Sequence, residues 1–264
     1  MVASELVDEV ALERRGHVAV VRLRRPQALN AITAAMADAL TETLEALGGD
    51  HDVWVVVLTA DGDRAFCVGA DLTERSTMTP EELAARRVSL RRMFAAVRAV
   101  PQPTIAGVFG YTLGGGFELA LGCDLIVAAD DATFGLPEAR VGLVPAGGGT
   151  SLLSRAIGPA RARELIYTGR RMDAAEARDL GLVTQVVPRV RLEEALAGLA
   201  GRIAESSPVA TRLAKAALRA ATEAEETAAL DAEEAALAEA ARSRDAEEGV
   251  RAFAEKRLPS WENR

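Results

Sequence analysis

The run Val53-Trp54-Val55-Val56-Val57-Leu58 constrains the fold more than any other stretch of this chain. It is continuously apolar and largely β-branched, the pattern of a strand buried on both faces. Such a strand needs apolar cover above and below. Further strand-like runs lie at residues 17–23 (HVAVVRL), 103–108 and 124–128, with a last edge strand expected within 182–187. Helical patterns alternate with them. One spans residues 31–47 and is stopped by Gly48-Gly49. Another spans 80–100, opened by the cap residue Thr79, an N1 proline and the acids Glu81 and Glu82. Residues 59–64 read as a turn, and a short helix begins after Gly114-Gly115-Gly116. Asp173 and Glu176 have the spacing of a capping box for another short helix, which Gly181 ends. Repeated strand, loop and helix units predict an α/β layered fold.

From Arg191 onward the pattern changes to four alanine-rich amphipathic helices, separated at Ser206-Ser207-Pro208, at Thr222 and at residues 243–245. Residues 223–242 are low in complexity, but their charges are spaced helically, so a helix is expected there rather than a linker. Two parts follow: an α/β core over 1–190 and a helical region over 191–264.

Bulk properties exclude several functions. The 264 residues suffice for one large domain, or one domain with an appendage. A net charge of −8 without a basic stripe speaks against a nucleic-acid partner. An anionic small ligand stays open, because local arginines and helix N-termini bind anions on acidic proteins. The two cysteines, Cys67 and Cys123, belong to no Cys/His cluster, so no metal site is expected and buried free thiols are. The start has no basic segment followed by an apolar one, and no apolar run reaches the ~18 residues of a spanning helix. The expectation is a cytoplasmic protein with no membrane partner.

No GxGxxG, P-loop or GxSxG motif occurs. The only histidines are His17 and His51, at a strand start and beside a turn, so a Ser-His-Asp hydrolase is poorly supported. Two glycine-bearing loops follow apolar runs instead: FCVGADL at residues 66–72 and GYTLGGGFELALGCD at 110–124. At the second, a helix starts on small residues, which leaves free N–H groups and the positive end of the helix dipole facing outward. If the loops face each other, one N–H from each can hold a carbonyl oxygen that turns negative. Taken alone, three glycines also mark a tight turn and nothing more.

Glu118 lies among Phe117, Leu119, Ala120 and Leu121. A carboxylate with such neighbours is partly desolvated, which suits it to proton transfer. It can equally be a first-turn glutamate favoured by the dipole. Glu138, after Pro137, has an ordinary helix-start setting. Two loops with two acids suit a reaction that passes through an oxyanion and moves protons.

The same residues resemble the enoyl-CoA hydratase/isomerase (crotonase) family. The resemblance is carried by RPQALNAIT, FCVGADL, IAGVFGYTLGGGFELALGCDLIVA and FGLPEARVGLVPAGGGTSLLSRAIG, then YTGRRMDAAEARDLGLVTQVVP, SPVATRLAKAAL and EGVRAFAEKRLP. These cover nearly the whole chain in order. The resemblance implies an α/β, crotonase-like spiral of ββα units with a C-terminal α-helical region. That region would serve trimerisation and cover of the active site, in a homo-trimer or homo-hexamer. An acyl-CoA thioester is the implied substrate. No separate cofactor is needed, since coenzyme A is part of that substrate.

By motif position, Ala70 and Gly115 would form the oxyanion hole, and Glu118 and Glu138 would be the catalytic acids of a 2-enoyl-CoA hydratase. Ala28, Gly69, Asp71, Leu72, Gly114, Phe253 and Lys256 would bind substrate. The family's lysines after RP and after GADL are replaced here by Gln27 and Thr73. Arg24, Arg25 and Lys256, the last from a neighbour's C-terminal helix, are the expected substitutes toward the CoA phosphates. Arg86, Arg87, Arg91 and Arg92 are expected in solvent, and Cys67 is not expected to be a nucleophile. An isomerase or acyl-CoA hydrolase on the same scaffold, and a non-catalytic acyl-CoA-binding protein, are the competing readings. Retention of both acids argues against the last.

Overall fold

The computed structural model describes residues 9–223, 238, 241, 242 and 244–257. The strands form two sheets. In chain order the first part runs β1 (Val10–Arg15), β2 (Val18–Leu23), α1 (Ala34–Gly48), β3 (Val55–Ala60), β4 (Ala65–Cys67), α2 (Leu72–Ser76) and α3 (Pro80–Ala99). Then come β5 (Thr104–Val108), β6 (Tyr111–Leu113), α4 (Gly115–Gly122), β7 (Leu125–Ala129) and β8 (Thr133–Gly135). The rest is α5 (Gly149–Ile157), α6 (Pro159–Thr168), β9 (Met172–Asp173), α7 (Ala174–Asp179), β10 (Gln185–Val187), α8 (Leu192–Ala204), α9 (Pro208–Glu223) and α10 (Arg244–Ala254).

The larger sheet has the order β1-β2-β3-β5-β7-β10, and the smaller one β4-β6-β8-β9. The pairs β3/β4, β5/β6 and β7/β8 each place one strand in the large sheet and the next in the small one, and helices lead back. This is the spiral of ββα turns. All pairings from β2 to β10 in the large sheet are parallel, and only the β1–β2 hairpin is antiparallel. Every residue of β3 is buried, as its sequence requires. Helix α8 packs on β3, β5 and β7. A Cβ on Gly107 would stand 2.4 Å from Leu196 Cδ1, so this glycine lets α8 lie close on the sheet. The turn at Arg189–Arg191 marks the change from sheet to helices, yet α8 beyond it belongs to the core packing.

Several boundaries differ from the sequence reading. Thr59 and Ala60 belong to β3 rather than to a turn, because pairing with β2 continues to Leu23–Ala60 and the Thr59 hydroxyl donates to Gly107 O at 2.7 Å. Strand β1 is an edge strand whose pattern passes from buried Val10 to exposed Glu13, Arg14 and Arg15, so it has no apolar run to betray it. Three-residue β6 and β8 and two-residue β9 are too short for a period. The expected capping box at α7 is half formed. Asp173 accepts from the Glu176 amide, but the Glu176 carboxylate turns to Arg170 at 2.6 Å. Thr222 is the penultimate residue of α9 as described, and the residues immediately after Glu223 lie outside the described ones. Most of residues 223–242 falls outside the described residues.

Replacing Gly107 with alanine should lower stability by about 1–3 kcal/mol in urea unfolding. Adding Leu196→Ala should make the double variant less destabilised than the sum of the singles, since the new methyl then meets space.

Candidate active site

The first glycine loop leaves β4 through Val68 and turns at Gly69, whose φ of +87° is left-handed. Residues 69–71 are stitched to Ile32. The Ile32 amide donates to Gly69 O at 2.8 Å, and the Asp71 amide donates to Ile32 O at 2.9 Å. In an extended segment alternate amides face opposite ways, so the Ala70 N–H points away from Ile32. Asp71 caps α2, accepting from the amides of Thr73 at 2.9 Å and Glu74 at 3.1 Å, and it pairs with Arg25 at 3.0 Å. Burial acts against ionisation there, but the Glu74 amide and Arg25 prevail and hold the Asp71 carboxyl below the usual carboxylate range. From the other side, Arg86 donates to Ile32 O at 3.2 Å and Asp71 O at 3.3 Å while pairing with Glu74 at 3.0 Å.

The second loop leaves β6 at Gly114, with φ +53° and ψ −131°, and α4 starts at Gly115. The loops touch backbone to backbone. A Cβ on Gly69 would lie 2.8 Å from Gly115 N, and one on Gly116 would lie 2.2 Å from Cys67 O. Neither Ala70 N–H nor Gly115 N–H finds an acceptor among the described residues. Two amide donors thus border one space.

Glu118 sits in the first turn of α4 and is 3 % exposed. Its Oε1 accepts from the amides of Gly147 at 2.7 Å and Gly149 at 2.9 Å. These charge-assisted bonds satisfy a carboxylate that burial alone would penalise. Glu138 opens a 3-10 turn, Glu138–Val141, closed by left-handed Gly142. Its Oε1 lies 3.0 Å from where a Cβ on Gly114 would stand, so this acid leans over the second loop.

A cavity of about 710 Å³ opens between these parts. Ala70, Gly115, Glu118 and Glu138 all line it. So do Ala28, Gly69, Asp71, Leu72, Gly114 and Phe253, the last 55 % exposed. Helix α10 packs on the Glu138 turn and on α2, with Gly249 against the Val141 carbonyl, so Phe253 comes from the same chain as the acids. This chain's own Lys256 does not line the cavity; it follows α10 in a left-handed conformation with its amide on Phe253 O.

The arginines divide differently from expectation. Arg24 pairs with Asp61, and Arg25 is tied to Glu9, Ala31 O and Asp71, so neither faces the cavity. Arg86, expected in solvent, is 4 % exposed, and with Arg87 and Arg91 it lines the wall. Only Arg92 stays outside, on Glu45. Sequence reasoning also missed Gly147 and Gly149. The glycine run 147–149 ahead of α5 was the available signal, since a side chain at Gly149 would meet Glu118 Oε1 at 2.9 Å.

Comparison with known proteins identifies the family. The family model "Enoyl-CoA hydratase/isomerase" matches residues 13–264. The chain belongs to the enoyl-CoA hydratase/isomerase family. It is 40 % identical over 257 residues to the probable enoyl-CoA hydratase echA8 of Mycobacterium tuberculosis, covering 97 % of this chain and 99 % of that one. It is 40 % identical over 245 residues to human enoyl-CoA hydratase domain-containing protein 2, mitochondrial, covering 91 % of this chain and 84 % of that one. The crystal structure of an enoyl-CoA hydratase from Bacillus anthracis superposes with a TM-score of 0.80 at 38 % identity, over 97 % of this chain and all of that one. The enoyl-CoA hydratase/isomerase family acts on acyl-CoA thioesters. Among the described residues no helix is long and apolar enough to cross a membrane.

Cys67, in the first loop, is fully buried, and burial pushes its thiol up to about 12. It should resist thiol reagents at pH 8 in the folded protein and react once the chain is unfolded in denaturant. Rapid modification of native protein at Cys67, read by peptide mass, would contradict this placement.

Proposed function

We propose that this family member is a 2-enoyl-CoA hydratase, adding water across the 2,3 double bond to give a 3-hydroxyacyl-CoA. The observation that carries this reading is that Glu118 and Glu138 line one cavity with the amides of Ala70 and Gly115. The thioester carbonyl is received by those two N–H groups, which face the oxygen where enolate charge builds. Water is held between the Glu118 carboxylate and Glu138, which enters as the neutral acid. Glu118 takes its proton as oxygen attacks C3, and Glu138 delivers a proton to C2. The amides of Gly147 and Gly149 keep Glu118 in one rotamer, so the base is positioned before substrate arrives. For the CoA phosphates, exposed Arg64 is the candidate among the cavity's cations. It lines the cavity with Gln27 and Ala28 and follows Gly62, where a Cβ would stand 2.7 Å from Pro26.

The reading includes assembly as a homo-trimer or dimer of trimers. Helix α9 leaves Val209 56 % and Leu213 66 % exposed one turn apart, an apolar stripe that suits a subunit contact.

Purified protein mixed with crotonyl-CoA should remove the conjugated-thioester absorbance. Glu118→Gln and Glu138→Gln should each slow turnover by about 10²–10⁴-fold. No hydration at any chain length would reject the reaction, and conversion of a 3-enoyl-CoA alone would make the protein an isomerase. Light scattering after size exclusion should give three or six chains, and Leu213→Glu should shift the mass downward; a monomeric wild type would sink the assembly.

A further inference from the structure

The wall of the cavity carries cations that the proposed hydration does not use. Helix α3 turns Leu83, Arg86, Arg87, Leu90 and Phe94 to it, a single face at spacings of three and four. Phe94 marks the reacting end. Its ring would lie 3.3 Å from a Cβ on Gly115 and 2.7 Å from one on Gly147, the residue that holds Glu118. Arg87 lies seven residues earlier, about 10 Å along the helix axis at ~1.5 Å per residue, with Leu90 between them. Helix α2 adds Arg75 to the same wall.

Arg86 is balanced by Glu74. Arg75 and Arg87, each half-buried, have no carboxylate partner among the described residues. Burial, with Arg86 and Arg87 close by, pushes the Arg75 guanidinium down from its ordinary value. Two acids on the cavity wall are spoken for, Asp71 by Arg25 and two amides and Glu118 by two amides, and Glu138 stands at the reacting end beside Gly114. Half-buried like charges without a counterion are costly, and a bound anion would relieve them.

We propose that the acyl group of the substrate ends in a carboxylate, bound by Arg75 and Arg87, with Leu90 and Phe94 flanking the carbons that lead to the thioester. This rests on the reading that the thioester carbonyl sits between Ala70 and Gly115. An anion at these arginines has a second source, the phosphates of CoA. The acyl carboxylate is favoured because Arg87 shares its helix face with Phe94, which leads to the reacting end.

Calorimetric titration of the full chain with unreactive thioesters tests this. Glutaryl-CoA should bind about tenfold or more tighter than pentanoyl-CoA, the scale of hydrogen bonds to a charged group. Arg87→Leu and Arg75→Gln should each cut that ratio by about tenfold, and Arg87→Lys should keep more of it than Arg87→Leu. Equal binding of the two thioesters by wild-type protein overturns the proposal, whatever the variants do. So does a loss of affinity for free CoA as large as the loss for glutaryl-CoA, which would assign the arginines to the phosphates. Binding is read without turnover, so a failed hydration assay leaves this result interpretable. Hydration of crotonyl-CoA with no preference for glutaryl-CoA would remove this inference alone.

Discussion

Everything at the site depends on two stretches of backbone meeting without side chains between them. Gly116 lies against the Cys67 carbonyl and Gly69 against the Gly115 amide, at distances where no Cβ fits. That approach converts two unrelated strand ends, β4 and β6, into one rigid rim. Two amides then border the same small volume. The parallel pairing of β4 with β6 sets the register, and the glycines permit the contact. A rim made of main chain needs no rotamer to be correct, which is how a binding geometry can be fixed in advance of any ligand.

The acids are placed by a second layer of loops. Glu118 is delivered by α4 but oriented by the amides of the 147–149 run, which leads into α5. Glu138 is delivered by a 3-10 turn that α10 packs against. The C-terminal helix therefore braces a turn that carries a site residue, and it supplies Phe253 at the cavity as well.

Much of this was legible in the sequence, and for definite reasons. Long elements carry a period: β3 reads as a strand because both its faces are buried, and α3 begins at Thr79 because cap, proline and acids coincide. The loop residues Gly69, Ala70, Gly114 and Gly115 are singled out by small residues after apolar runs together with motif position in the family resemblance, since glycines alone mark only a turn. The short strands were not legible, since three residues have no pattern, and edge strand β1 hides behind its charges. Arginine roles were least legible of all. Arg25 and Arg86 look like surface residues in one dimension. Their carboxylate and carbonyl partners lie up to 46 and 54 residues away, so only the folded chain reveals them as struts.

Those struts have a consequence for the conditions the site tolerates. The Arg25–Asp71 and Arg86–Glu74 pairs hold the Ala70 segment from either side, and each contains a largely covered arginine. Pairs so shielded feel dissolved salt weakly, unlike exposed ones such as Arg191–Glu194. Because the Asp71 carboxyl is held below its ordinary range, its contribution is complete above the unfolded-chain value and fades only as the solution is acidified through the lower, folded one. The rim is thus fastened by shielded charges, and its Asp71 end outlasts mild acid, even though the amides it presents carry no charge themselves.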